Sequence, residues 1–244
     1  SESGRPVMLM HALAANASFW DGFCAEAGDD FLFVAFDQRG FGRSPVPPRP
    51  WTVEDHVADI EAVRREHGLE RFSLMGTAVG GMLAMFYAAR YPERVDAIVF
   101  TNPALGVTRH NSMMRLEKMW AGGGMAAIAD DAVGRAFGDL PRDERYWHYY
   151  NEIFLRNDPK GYETTVLGMV DRSVEEVVAS VSCPVLLIGG GLDIITPPDG
   201  VARKIHALKP NSRLEVVADA GHLGPYQRPA AFARIAVPFL RETA

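Results

Sequence analysis

Six short apolar runs, rich in β-branched and aromatic residues, punctuate the chain: VMLM (7–10), FLFVAF (31–36), FSLM (72–75), DAIVF (96–100), VLLIG (185–189) and RLEVV (213–217). Each is followed by a turn and most by a helical pattern, which predicts an α/β protein with a mostly parallel sheet and helices on its faces. The clearest helix is WTVEDHVADIEAVRREHG. Thr52 can cap its start, Glu54 and Asp55 suit its positive end, Val53, Val57, Ile60 and Val63 share one face, and Gly68 stops it. A second helix, PAAFARIAVPFLRE, should turn Phe232, Ile235, Phe239 and Leu240 inward. Between DAIVF and VLLIG the alternation fails, and a long stretch of helical composition carries many methionines and aromatic residues. This predicts a helical insertion over 107–181, sitting as a lid on a core made of 1–106 and 182–244. So small an insertion cannot bury all its large side chains within itself, so some, with Trp120 and Trp147 as candidates, should line a pocket.

Composition narrows the function classes. With 244 residues and 48% hydrophobic content the chain can bury a full core as one domain. A net charge of −6 leaves no basic face for a nucleic-acid backbone, and no apolar run is long enough to suggest a membrane span. The start SESGRPVMLMHALAAN lacks the pattern of a signal peptide. Cys24 and Cys183 lack the number for a disulfide framework and the spacing for zinc, so the expected setting is the cytoplasm. The histidines show no paired metal spacing, so no metal site is expected. The segment PVPPRP (45–50) should be a stiff surface connection, and nothing in the sequence signals an oligomeric state.

The candidate chemistry begins at LMGTAVGG. Gly76 and Gly80 flank Ala78 two residues to either side, after a strand and before an apolar helix, as a sharp strand-to-helix elbow requires. Taken alone, such a motif also suits a helix start built for close packing. Further along, LDIITPP places Asp193 just past one strand, and ADAGHLGPYQRP places His222 in the loop after the next. An elbow, an acid and a histidine in that order are far more specific than any of them alone.

In these motifs the chain resembles the α/β-hydrolases of the esterase, lactonase and carbon–carbon hydrolase type, with the elbow serine replaced by alanine. The resemblance covers nearly everything outside the insertion. It implies that His222 is the general base and acid and Asp193 its orienting partner, while Ala78 stands where the nucleophile would be. MHALAANASFW (10–20) corresponds to the family's His-Gly loop, which makes Leu13 one oxyanion donor and Val79 the other, with Ala12 in place of the usual glycine. FDQRGFGRS (36–44) matches a structural turn, and His11 is expected to be structural beneath its loop. Family members usually carry another hairpin before the first core strand of this chain, whose lack should leave the site untouched. No cofactor is implied.

Two accounts of Ala78 follow. In one, the natural residue is serine and this chain is a disarmed serine hydrolase for small, largely apolar esters or lactones, nearly inert as it stands. In the other, alanine is native. The aminoacrylate hydrolases of pyrimidine breakdown resemble the chain in a G-x-A-x-G elbow and a similar DQRG turn, and His222 with Asp193 would then activate water or serve as a base. Carbon–carbon hydrolysis and a noncatalytic, ligand-binding role stay open beside these. Thr77 should point into the fold. Arg109 and His110 could meet a substrate carboxylate or be a solvated loop pair.

Overall fold

The computed structural model describes residues 4–46 and 48–243. The expectation about the chain start therefore falls partly outside the described residues, at Ser1 to Ser3, as does Pro47 of the 45–50 connection, which is otherwise largely exposed. Six strands form one wholly parallel sheet: β1 (Arg5–Met10), β2 (Phe31–Ala35), β3 (Phe72–Thr77), β4 (Val95–Thr101), β5 (Val185–Gly190) and β6 (Arg213–Val217), in the order β2-β1-β3-β4-β5-β6. All six predicted strands are present.

Alternation along each strand divides the interior in two. Val7 and Leu9, Ala97 and Val99, and Leu186 and Ile188 face one apolar layer, while their neighbours Met8 and Met10, Ile98 and Phe100, and Val185 and Leu187 face the other. Because both faces are covered, the central strands read as continuous apolar runs, and β3 and β5 are buried at every position. The edge strand β6 is mostly exposed, and its sequence is correspondingly mixed. Helices α1 (Asp21–Ala27) and α10 (Pro229–Thr243) contribute to the first layer. Helices α2 (Val53–Glu66), α3 (Val79–Arg90) and α8 (Val201–Leu208) contribute to the second. Helix α2 starts as its sequence requires: Thr52 accepts from the Asp55 N–H and the Asp55 carboxylate from the Thr52 N–H, and Gly68 takes a φ of 62° just past its end. Both cysteines are free, and burial pushes each thiol up to about 11.

The chain between β4 and β5 forms α4 (Arg109–Ala121), α5 (Ala126–Phe137), α6 (Glu144–His148), a π-helical turn (Tyr149–Phe154) and α7 (Pro159–Met169). Bridges from Gly106 to Ser173 and from Val107 to Val170 pinch this excursion at its base. Past the pinch, Val174 and Val178 rejoin the layer that holds α3 and α8. Leu116, Met119, Ile128, Phe137 and Tyr146 of the excursion belong to the same apolar layer as α1 and α10, so the helices extend an existing core instead of forming their own.

Candidate active site

The strand order reverses between β1 and β3, and the loops that leave the carboxyl ends of those two strands form one wall of a cavity of about 660 Å³. At the end of β3 the backbone turns abruptly through Ala78, whose φ of 49° and ψ of −112° are forbidding for any residue with a side chain. Neighbouring contacts hold it there. The Ala78 N–H donates to the Thr101 carbonyl at 3.1 Å, and the Ala78 carbonyl accepts from Met82 N–H at 3.0 Å. Glycines let α3 come this close: a Cβ on Gly80 would collide with the Met10 carbonyl oxygen, and one on Gly81 with the Phe100 ring. Thr77 points inward as expected, its hydroxyl 2.6 Å from that of Thr101.

The loop after β1 is fixed by His11. The Gln38 N–H donates to its Nε2 at 2.9 Å, which leaves Nδ1–H to donate to the Ala12 carbonyl at 2.8 Å. Burial pushes its pKa down to about 4, so the ring is neutral and structural. Ala12 does not need the freedom of glycine: the positive φ in this loop, 58°, falls on Ala14. The Ala14 carbonyl is gripped from the excursion by the Asn157 amide at 2.9 Å. Leu13 and Val79 both line the cavity beside Ala78. Among the described residues neither of their backbone N–H groups has an acceptor, and Val79 opens α3, where such groups point at the site.

Asp193 and His222 meet as their order in the sequence implies. His222 Nδ1 lies 2.9 Å from Asp193 Oδ2, with the aspartate side chain fully buried and the histidine 11% exposed on the cavity. Asp193 Oδ1 accepts from the N–H groups of Ile195 and Thr196, each at 2.9 Å. Burial works to raise its carboxyl, but the His222 ring outweighs it, helped by the Thr196 N–H and the Asn102 amide, and holds it well below the ordinary carboxylate range. A permanently ionised Asp193 keeps the proton on Nδ1 and leaves Nε2 as the basic nitrogen.

Several supporting residues carry no motif. Asn102, at a φ of 44° just beyond β4, donates to Asp193 Oδ2 at 3.1 Å and to the Gly221 carbonyl at 2.8 Å, and accepts from the Gly224 N–H at 3.0 Å. It ties the acid to the histidine loop. Thr196 adds a hydroxyl bond to Asp193 Oδ2 at 2.8 Å. From α5, the Ala136 carbonyl accepts from the His222 N–H at 2.9 Å and from the Gln227 amide at 3.0 Å. The only sequence signal for Asn102 was its place directly after a parallel strand, at the sheet edge where sites form.

The roof of the cavity differs from expectation. Trp120 and Trp147 do not line it: they are 53% and 46% exposed, and the Trp120 indole N–H bonds Glu163 on the outer surface. The aromatic wall comes instead from Tyr149, Phe154 and Tyr162. Tyr149 and Phe154 are five residues apart, about 140° around an α-helix. The π-helical turn, with Leu155 N–H bonded to the Tyr150 carbonyl at 3.1 Å, widens the spiral so that both reach the cavity. Arg109 lines the cavity but pairs with Asp171, and His110 is exposed away from it. Among the described residues no group of three His, Cys, Asp or Glu is placed to hold a metal ion, and no helix is long and apolar enough to cross a membrane.

Known proteins share this fold. A thermophilic esterase from Thermogutta terrifontis, in a malate-bound structure, superposes with a TM-score of 0.89 at 26% identity, over 99% of this chain and 91% of that one. The enol-lactonase from Burkholderia xenovorans has a TM-score of 0.91 at 24% identity, over 98% and 92% of the two chains, and at that identity shows the shared fold. In sequence, 3-oxoadipate enol-lactonase 2 of Acinetobacter baylyi is 24% identical across 95% of this chain and 87% of its own length. A family model described as the alpha/beta hydrolase fold matches residues 5–124 and 125–229. The parallel sheet and the helices that flank it are thus those of a known family: the chain belongs to the α/β hydrolase fold family.

Proposed function

We propose that this chain is built as a hydrolase of small carboxylic esters or lactones, with a triad whose first position, 78, holds alanine. The observation that carries the reading is the Ala78 backbone. A φ of 49° at a non-glycine residue costs on the order of 1–3 kcal/mol, and an alanine there has no chemistry to offset it. The same bend would lift a serine hydroxyl into the cavity between the His222 ring and the N–H groups of Leu13 and Val79. The disarmed serine hydrolase is therefore favoured over a native alanine.

With serine at 78, His222 Nε2 would take the hydroxyl proton as the oxygen attacks the substrate carbonyl. Asp193 would steady the imidazolium, and the Leu13 and Val79 N–H groups would receive the oxyanion. Collapse would expel the alkoxide with the proton from His222, and a water activated by the same nitrogen would release the acid. With alanine the attacking atom is missing, and the loss is on the order of 10⁶ in turnover, about 8 kcal/mol of barrier. Binding and polarisation of the carbonyl remain. The helical excursion acts as the lid that confines the substrate, and the apolar lining from Leu13, Val79, Leu105, Phe154 and Leu223 suits a compact acyl group.

The test is hydrolysis of short p-nitrophenyl esters by the chain and by Ala78→Ser, with His222→Ala added to the serine background. A gain of several orders of magnitude that the histidine change abolishes supports the reading. No gain would move the chemistry to water activated by His222, or to binding without turnover.

A further inference from the structure

The charge of the cavity is opposite to that of the protein. The chain as a whole carries −6, yet the charged residues that line the cavity are Arg109, Arg115, Arg135, Arg172 and a single acid, Asp171. Three of the four arginines are neutralised within the chain. Arg109 pairs with Asp171, Arg115 with Asp131 at 3.0 Å, and Arg172 with Glu54 at 2.8 Å and Glu176 at 3.0 Å.

Arg135 is different. It lies one helical turn beyond Asp131 on α5, the spacing at which such a pair would form, but the Asp131 carboxylate is held by Arg115 from α4. Arg135 is solvent-exposed at the rim of the cavity, and among the described residues it has no carboxylate partner and no side-chain hydrogen bond. It is also the residue before Ala136, whose carbonyl holds the His222 backbone, so its position is referenced to the catalytic histidine through a single peptide unit. Two neutral donors stand in the same lining with hydroxyls that have no partner among the described residues. One is Ser112, from the α4 face that also carries Arg115, and the other is Tyr149, from the π-helical turn, only 2% exposed. Both oxygens are accessible, so a ligand in the cavity can bond to them.

We propose that the cavity accepts an ester or lactone that also bears a carboxylate, and that Arg135 is the residue that recognises it. The carbonyl end rests on the floor at Ala78, and the carboxylate meets the guanidinium at the exposed rim of the cavity, with the Tyr149 and Ser112 hydroxyls available to its second oxygen. A guanidinium matches a carboxylate with two parallel hydrogen bonds, which a neutral ester end cannot reproduce. The proposal deepens the hydrolase reading and rests on it for the ester half of the substrate.

Because Ala78 stops turnover, binding is measured directly on the chain as it stands. NMR titrations use the monomethyl esters of succinate, glutarate and adipate, each against its uncharged dimethyl ester. At least one monoester should bind about tenfold or more tightly than its diester, with a preference that shrinks as salt rises. Arg135→Gln should bring the two to within about twofold, Arg135→Lys should keep part of the difference, and Arg203→Gln, an arginine away from the cavity, should keep all of it. The proposal is overturned if no monoester binds at millimolar concentration, if diesters bind as well as monoesters, or if Arg135→Gln leaves the preference intact. A failed Ala78→Ser assay alongside a preference for the anion that depends on Arg135 would sink the hydrolase reading and leave the anion site standing.

Discussion

The floor and the roof of the cavity are built on different terms. On the floor, polar groups are satisfied from within the chain: Asp193 receives bonds from Ile195, Thr196, Asn102 and His222, and His11 is locked between Gln38 and Ala12. Left unpaired there are the Leu13 and Val79 N–H groups and Nε2 of His222, the groups the proposed reaction would use. In the roof, the Tyr149 and Ser112 hydroxyls and the Arg135 guanidinium find no partner among the described residues, although the helices themselves are packed into the main core. Under the proposed function the floor would be pre-organised for the reaction, and the roof would choose what reacts.

The sharpest way to break this division is at His222. In the Ala78→Ser background, His222→Ala should cost on the order of 10⁴ or more in kcat while altering KM for short esters little, because in the proposed mechanism the histidine acts only in the reaction. A change confined to KM would put His222 in binding instead. Next in size is Asn102→Ala, which strands Asp193, the Gly221 carbonyl and the Gly224 N–H together. It should lower unfolding free energy by about 3 kcal/mol in urea titrations and cut turnover of the serine variant by roughly ten- to a hundredfold. If stability falls and turnover does not, Asn102 holds the fold and not the dyad.

A smaller effect concerns the buried histidines His11 and His56. Burial pushes His56 down to about 3 and His11 to about 4, whereas both titrate near 6.5 in an unfolded chain. Below about pH 6.5 the unfolded state then binds more protons than the native state, so stability is full above that pH and falls as the pH drops toward 4. His56→Phe replaces a ring whose Nε2 is buried without a partner, and should flatten this slope by about 2–3 kcal/mol between about pH 6.5 and 4.5. An unchanged slope in denaturation measured across that range would contradict it. The smallest effect is expected at Trp120→Ala, on the outside of the roof: kcat/KM of the serine variant should stay within about twofold, and stability within about 0.5 kcal/mol. A large loss of kcat/KM would bring Trp120 back to the substrate.

The division also matches what was legible in the sequence. Gly76, Ala78, Gly80, Asp193 and His222 were readable because each sits in a short segment whose backbone path its own residues dictate, and because the fold requires them in that order. Trp120 and Trp147 were misplaced because aromatic content alone does not say which side of a helix faces inward. In a helical excursion that shares its core with the sheet, inner and outer faces both carry large apolar residues.

Local patterning by itself determined the six strands, the capped helix α2 and the glycine-flanked elbow, since burial on alternating faces and glycine-dependent turns leave their mark within a few residues, while the resemblance to a known family singled out Asp193 and His222. Only the tertiary structure decided that Asn102 joins groups 91 and 119 positions away, that a π-helical turn brings Tyr149 and Phe154 into one wall, and that Asp131 pairs with Arg115 and leaves Arg135 free. These outcomes depend on which distant side chain reaches a partner first, and that competition is settled by packing in three dimensions, where spacing along the chain carries no information.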